Sequence, residues 1–218
     1  MGQYYRGVVL EQPINETNEI KVKKAFCCYA FDNGAKLMEH SYVGNKYVKA
    51  YEHILANECY GFPFVWCGDY ADEVNNKDIY TLTCNYIDEQ TVINAQEQGY
   101  IPNPNPNKHW GAEFCHEEDE TLTKSYKDFS PYINVNEDYK YIVNFDKKQY
   151  IAIPEYEPNK WTIHPLPLLC ASGNGRGGGD YDGTNMKIVG AWAFDRIGVT
   201  NELPTDMEEI KLTFEEHY

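Results

Sequence analysis

The sequence predicts an α+β fold, with a single domain over residues 1–218 built on a mostly antiparallel sheet and one or two amphipathic helices. Three observations predict this fold. Segments rich in aromatic and β-branched residues, which favour strands, outnumber helical segments. One segment carries apolar residues at the spacing of a helical face. The chain has 218 residues, 42% of them hydrophobic, which is enough to bury one sizeable core.

The N-terminal part alternates strand-like and helix-like segments. Strands are predicted for QYYRGVVL, for IKVKKAFCCYAF and for AKLMEHSYV, with a hairpin turn at the Asn-Gly pair of FDNG. The segment NKYVKAYEHILANE places Val48, Tyr51 and Leu55 on one face, so an amphipathic helix is predicted there. The apolar and aromatic run GFPFVWCGDYAD predicts a core strand that ends at Gly68-Asp69.

The second half gives weaker patterns. A short helix is predicted for DEQTVINAQEQG, and a loop insertion is predicted at 101–124, where prolines alternate and an acidic stretch follows. YKYIVNFDKKQYIAI predicts a hairpin of two strands around Asp146-Lys147. A strand pair, or a strand and a turn, is predicted for MKIVGAWAFDRIGVT, and a closing strand for EEIKLTFEEHY.

The charge balance limits the partners. The chain carries 19 basic and 34 acidic residues, a net charge of −15. Binding to a phosphate backbone generally needs a basic face, so we expect neither a nucleic-acid backbone nor an anionic membrane as a partner. A small anion held by a few arginines stays open. The sequence has no signal-peptide pattern and no run of about 18 apolar residues, which predicts a cytoplasmic protein.

The segment LPLLCASGNGRGGGDYDGT, residues 166–184, is the most unusual in the chain. Five glycines fall between Gly173 and Gly179, around one arginine. The spacing matches the dinucleotide-binding fingerprint, but two prolines precede it and no helix-opening sequence follows. The phosphate-binding P-loop is also excluded, because no Lys-Ser or Lys-Thr pair closes the loop.

Two interpretations of this glycine loop, residues 173–179, remain. It is a wide turn whose residues take positive φ, or a nest of backbone N–H groups that binds an anion with help from Arg176. We favour the nest, because a plain turn rarely needs five glycines around one arginine. The predicted ligand-binding residues are Gly173, Asn174, Gly175, Arg176, Gly177, Gly178, Gly179, Asp180, Asp195 and Arg196.

Several aspartates follow predicted strands and could bind a metal. Asp69, Asp72 and Asp180 are the candidate ligands for Mg²⁺ or Ca²⁺, which take oxygen ligands. The same carboxylates could instead cap turns or pair with the nearby arginines. His40 and Asp195 are candidate bases for a hydrolase, although a lone histidine is more often structural. We expect Trp66 and Trp192 to fill the core.

Several segments together resemble a family of uncharacterised bacterial and bacteriophage proteins. The segments are MGQYY, KLMEHSYVGN, VWCGDYAD, YIVNFDKKQY, LLCASGNGRGGGD and VGAWAFDRI, about a third of the chain, and the family carries GNGRGGGD, GSWAxDRI and GDYAD. In many relatives GDYAD directly follows the DRI strand, whereas here it lies upstream, at residues 68–72. The resemblance implies that the two strands are neighbours in space. They would then bring Asp69, Asp72, Asp195 and Arg196 to the glycine loop.

The resemblance implies a phage or mobile-element origin and no particular activity. The leading hypothesis is a non-enzymatic protein, in the host cytoplasm, that binds a small nucleotide-like ligand or a host partner and counteracts host defence. The first alternative is a metal-assisted hydrolase that uses the aspartate cluster. The second is a purely structural or protein-interaction domain.

Overall fold

The computed structural model describes residues 1–15, 19–102, 113–116, 119–125 and 132–216. Its strands are β1 (Tyr5–Leu10), β2 (Val22–Ala25), β3 (Phe62–Gly68), β4 (Tyr100–Pro102), β5 (Glu113–His116), β6 (Asp119–Ser125), β7 (Tyr141–Asn144), β8 (Gln149–Ala152), β9 (Ala171–Ser172), β10 (Arg196–Thr200) and β11 (Glu208–Glu209). Its α-helices are α1 (Leu37–His40), α2 (Lys46–Ala56), α3 (Ile79–Glu97) and α4 (Pro165–Leu169). Two short 3-10 helices cover Cys28–Phe31 and Met186–Ile188.

One mixed, mostly antiparallel sheet of eight strands organises the fold. Its order is β11-β8-β7-β10-β3-β1-β2, and β9 pairs with the C-terminal half of β3. Only the short strands β9 and β11 pair in parallel among the described strands, with β3 and β8 respectively. The predicted α+β fold is therefore confirmed, as are the strands β1 and β3 and the β7–β8 hairpin.

Helix α2 carries the aromatic residues that bind this helix to the sheet. The Tyr47 hydroxyl donates to Phe26 O (3.0 Å), and the Tyr51 hydroxyl donates to the carbonyl of Gly7 in β1. A Cβ at Gly7 would lie 2.6 Å from the Tyr51 ring, so only glycine permits this approach. The indole of Trp66 packs against both tyrosine rings. Buried hydroxyls that donate to backbone carbonyls fix the helix in one position.

Helix α1 replaces a predicted strand. Residues 37–40 form a helix because backbone N–H groups at its start donate to nearby residues and to the glycine loop. Glu39 Oε2 accepts the Lys36 N–H (3.0 Å), and the Met38 N–H donates to Gly179 O (3.1 Å). The predicted Asn-Gly hairpin is also wrong. The chain there leaves a 3-10 helix through Asp32, at φ 57°, and the next element is helix α1 in place of the expected strand.

Helix α3 is longer than the sequence predicts. The predicted helix begins at Asp88, whereas α3 begins at Ile79. Asp78 caps it by accepting the Thr81 N–H (3.1 Å), which satisfies a donor that the helix cannot satisfy itself. The sequence lacks a clear apolar stripe in this stretch, which explains why the pattern missed the first turns.

The predicted loop insertion at 101–124 contains strands where the structure describes it. β4, β5 and β6 form a second, three-stranded antiparallel sheet. The β-branched residues Thr121 and Thr123 favour strand β6 over a solvated loop. Residues 103–112 and 117–118, including most of the Asn-Pro repeat, lie outside the described residues.

Within the part of the chain that the structure describes, no helix has both the length and the apolar character needed to cross a bilayer.

Candidate functional site at the glycine loop

The glycine loop lies against the N-terminus of the chain and the C-terminal end of β3. Strand β9 delivers it there, because Ala171 pairs with Trp66 and Ser172 with Cys67. The first residues of the chain cover its other side. The Gln3 N–H donates to Gly178 O (3.0 Å), and the Gly178 N–H donates to the carbonyl of residue 1 (2.9 Å). The loop therefore connects three distant parts of the sequence.

The backbone of the loop forms a nest, and the anion in it belongs to the chain itself. Asp180 Oδ2 accepts the N–H groups of Gly175 (2.6 Å), Arg176 (2.8 Å) and Gly177 (3.1 Å). Three converging N–H groups are the arrangement that binds an external anion in other proteins. A phosphate could bind in this nest only by displacing the carboxylate of Asp180. The peptide chain itself keeps that carboxylate beside the nest.

The turn geometry also explains the glycines. Gly173, Gly175 and Gly179 have φ of 101°, 89° and 87°, in the region that other residues rarely adopt. Both sequence interpretations therefore describe part of the loop. It is a wide turn with positive φ, and it is a nest that is closed on its own carboxylate.

Two buried side chains hold Asp180 from behind. The Tyr5 hydroxyl donates to Asp180 Oδ1 (3.1 Å). Gln3 is fully buried, and in the amide orientation that satisfies its neighbours it donates to Asp180 Oδ2 (2.9 Å) and to Gly173 O (2.9 Å). Burial, and then the charge of Asp180, raise the pKa of Tyr5 far above its ordinary value, so the hydroxyl remains a donor.

Arg176 points away from the nest and forms an exposed ion pair. Its Nη1 and Nη2 donate to Asp72 Oδ1 (2.7 Å) and Oδ2 (2.5 Å), and Nη1 also donates to Tyr70 O (2.9 Å). The side chains of Arg176 and Asp72 remain 42% and 82% exposed. Hydrogen bonds from the guanidinium, and then its charge, hold the pKa of Asp72 below its ordinary value.

The candidate metal ligands do not form one cluster. Asp69 Oδ1 accepts the Tyr4 N–H (3.0 Å), Asp72 is engaged by Arg176, and Asp180 lies in the nest. Over the described residues, no group of three or more His, Cys, Asp or Glu side chains is placed to hold a metal ion. The predicted Mg²⁺ or Ca²⁺ site is not formed by these three carboxylates, because protein donors hold each of them in a different place.

Asp195 and Arg196 lie at the other end of β3. The strands that carry GDYAD and DRI are neighbours, as the resemblance implies, since β10 pairs with β3. Strand β10 pairs with β3 only at the N-terminal end of β3, where the Phe64 N–H donates to Asp195 O (3.0 Å). Asp69 follows Phe64 by five residues, which correspond to roughly 16 Å of extended chain. The expected convergence of Asp195 and Arg196 on the glycine loop is therefore wrong.

These two residues instead fix the turn of the β7–β8 hairpin. Arg196 donates from Nε to Asp146 Oδ1 (2.8 Å), and its N–H donates to Asp146 Oδ2 (2.7 Å). Asp195 Oδ2 accepts from Asn144 Nδ2 (2.8 Å) and pairs with Lys147. Crossed ion pairs between a turn and the neighbouring strand explain a structural role for both residues.

His40 is a structural histidine. It is fully buried, with Nδ1 on Gly34 O (3.0 Å) and Nε2 accepting from Trp66 Nε1 (2.9 Å). Both ring nitrogens are engaged, so His40 has no lone pair available as a base for the hydrolase. Trp66 and Trp192 are buried in the core, as the sequence predicts.

The sequence patterns missed a buried pair formed by Glu52 and His164. His164 Nε2 lies 2.9 Å from Glu52 Oε1, and both side chains are almost fully buried. A signal for Glu52 existed, because it shares the helical face of Val48 and Leu55, where a charge is unexpected. His164 is 112 residues away, so no local pattern connects the two.

Comparison of the chain with protein-family models, with curated proteins and with solved structures finds no match. The resemblance to phage proteins therefore depends on the quoted segments alone. The geometry of the site is the basis for a function.

Replacing Asp180 with alanine tests the nest. Because three backbone N–H groups would lose their acceptor, we expect Asp180→Ala to lower the free energy of unfolding by about 1–3 kcal/mol in urea denaturation. Asp206→Ala, at an exposed position, is the matched control and should change it little. Equal stability of the two variants would show that Asp180 does not hold the loop.

The buried imidazole of His40 predicts a pH dependence. Burial lowers the pKa of His40 to about 4. Between about pH 4 and pH 6.5, His40 is therefore protonated in the unfolded chain and neutral in the folded chain. Stability should fall as the pH drops from about 6.5 to about 4, by about 3 kcal/mol from this group. Unfolding free energy measured against pH should therefore fall more steeply in the wild type than in His40→Gln. Parallel profiles would contradict a buried, neutral histidine.

Proposed function

We propose that this chain is a non-enzymatic binding protein that captures a small, phosphate-bearing, nucleotide-like ligand at Arg176. The observation that carries the proposal is the exposed guanidinium, presented by a hydrogen-bonded loop on a chain of net charge −15. The nest does not take part, because Asp180 fills it. In this proposal the nest fixes the loop, and the loop fixes Arg176.

Asp72 occupies the position that a phosphate would take. A guanidinium donates two parallel hydrogen bonds to a carboxylate or to a phosphate with nearly the same geometry. Exposed ion pairs of this kind contribute little to stability, so exchanging Asp72 for a ligand oxygen costs little. In this proposal Asp72 covers the guanidinium of Arg176 until a ligand phosphate replaces it.

The surroundings of Arg176 suit a flat, aromatic ligand group. Tyr4 and Tyr70 lie next to Asp69 along two paired segments and are 40% and 37% exposed. Exposed tyrosine rings offer stacking surfaces for a base. A Cβ built at Gly175 would meet no atom within 4 Å, so there is open space above the loop.

A second candidate is a host protein bound through the same face. The N-terminal methionine, whose carbonyl accepts the Gly178 N–H, adds exposed hydrophobic area there, and tyrosines such as Tyr4 and Tyr70 are enriched at protein interfaces. With the resemblance to bacteriophage proteins, either form of binding would counteract host defence in the host cytoplasm. Among the residues that the structure describes, no carboxylate cluster supports the hydrolase alternative.

Melting temperature against a panel of nucleotides and cyclic nucleotides, with and without Mg²⁺, tests the ligand proposal. A ligand at a hundred times its dissociation constant should stabilise the folded chain by about 2.7 kcal/mol. Arg176→Ala should abolish the shift, whereas Asp72→Asn should strengthen binding because it removes the competing charge. Arg196→Ala is the matched control, since Arg196 also pairs with an aspartate but lies at the other end of β3.

A shift that survives in Arg176→Ala would refute this site. A flat panel, followed by capture of a host protein that Arg176→Ala prevents, would favour the second candidate. A shift with Mg²⁺ alone would return the metal-assisted hydrolase to consideration.

A further inference from the structure

A cavity of about 540 Å³ lies beside helix α2, away from the glycine loop. Its walls come from the end of β8 and the residues after it, the residues before β7, and the turn at Gly44. Its lining includes Glu52, a side chain that is only 5% exposed. Burying a carboxyl group in this position costs free energy unless the group interacts with a partner.

His164 holds the Glu52 carboxyl group by a hydrogen bond. His164 Nδ1 accepts the Leu166 N–H (3.2 Å) at the start of α4, so this nitrogen carries no proton. The proton is then on Nε2, which donates to Glu52 Oε1 (2.9 Å). A neutral imidazole orients Glu52 through one hydrogen bond and adds no positive charge beside it. Across the described residues, no lysine or arginine forms an ion pair with it.

The lysines of the lining do not provide the missing charge. Lys49 lies one turn before Glu52 on α2, but its Nζ is held by Asp138 Oδ1 (2.6 Å) and by Glu137 O (3.4 Å). Lys140 has an exposed side chain, whereas Glu52 is buried. The cavity therefore offers a fixed carboxylate that lacks a cationic partner.

The other walls suit an organic cation. Tyr139, Tyr141 and Tyr156 line the cavity, and cations are attracted to the faces of such rings. Gly44 makes room for Tyr156, because a Cβ there would lie 2.7 Å from its ring. Gly44 also has φ of 83°, so alanine would be strained at this position.

We propose that this cavity binds an alkylammonium group, whose N–H groups donate to Glu52 while its carbon chain lies against the tyrosines. The site is separate from Arg176 and does not depend on the function proposed for it. Two sources supply this chemistry, a free diamine or polyamine and the lysine side chain of a protein.

Calorimetric titration tests the proposal with two probes, 1,4-diaminobutane and Nα-acetyl-lysine amide. Because a chain of net charge −15 attracts any cation, the titration is done at about 0.15 M salt, where charges more than about 8 Å apart are screened. We expect saturable binding at one site, and no binding of the uncharged isostere 1,4-butanediol. Tighter binding of the diamine indicates a free amine as the ligand, and tighter binding of the lysine derivative indicates a partner protein.

Glu52→Gln should weaken binding by about tenfold or more, because it removes the charge and keeps the shape. Glu202→Gln makes the same charge change at an exposed position and should leave the affinity unchanged. Unchanged affinity in Glu52→Gln, or a proportional loss in both variants, would overturn the proposal. If Glu52→Gln does not fold, the comparison of the diamine with 1,4-butanediol on the wild type decides. Equal binding of both, or no saturable binding of either ammonium probe, would overturn it.

Discussion

The carboxylate of Asp180 is the constraint on which the glycine loop depends. It accepts three consecutive backbone N–H groups, and buried Tyr5 and Gln3 support it from the core. Because Gln3 also bonds to the loop backbone, the same interaction fixes the N-terminus of the chain. The loop in turn accepts the Met38 N–H at α1. Charge-assisted hydrogen bonds of this kind are roughly twice as strong as neutral ones.

The two proposed sites differ in the charge that they offer to a ligand. At the glycine loop the cation of Arg176 is exposed, and the anion paired with it, Asp72, is more exposed still and easily exchanged. At α2 the carboxyl group of Glu52 is buried and bonded to the neutral ring of His164, and no lysine or arginine among the described residues forms an ion pair with it. The first site selects an anionic ligand group and the second a cationic one. Each follows from where the protein places a charge relative to its own partners.

Elements with strong local signals were predictable from sequence. The apolar face of α2 and the turn of the β7–β8 hairpin are local patterns, and both are confirmed. Helix α1 was not predictable, because the N–H of Met38 in its first turn donates to Gly179 O, 141 residues further along the chain. The sequence left open that aspartates pair with the nearby arginines, and Arg176 does pair with Asp72. It could not show that Asp180 fills the nest, since only the φ values of the loop decide where its N–H groups point.

Amide hydrogen exchange at Gly175, Arg176 and Gly177, followed by NMR, tests the central claim most directly. If Asp180 accepts all three N–H groups, these amides should exchange much more slowly than those of an unstructured peptide, even though the loop is exposed. Protection of all three amides together is the predicted result. Exchange at the unstructured rate would show that the nest is open, and would contradict a loop closed on its own carboxylate.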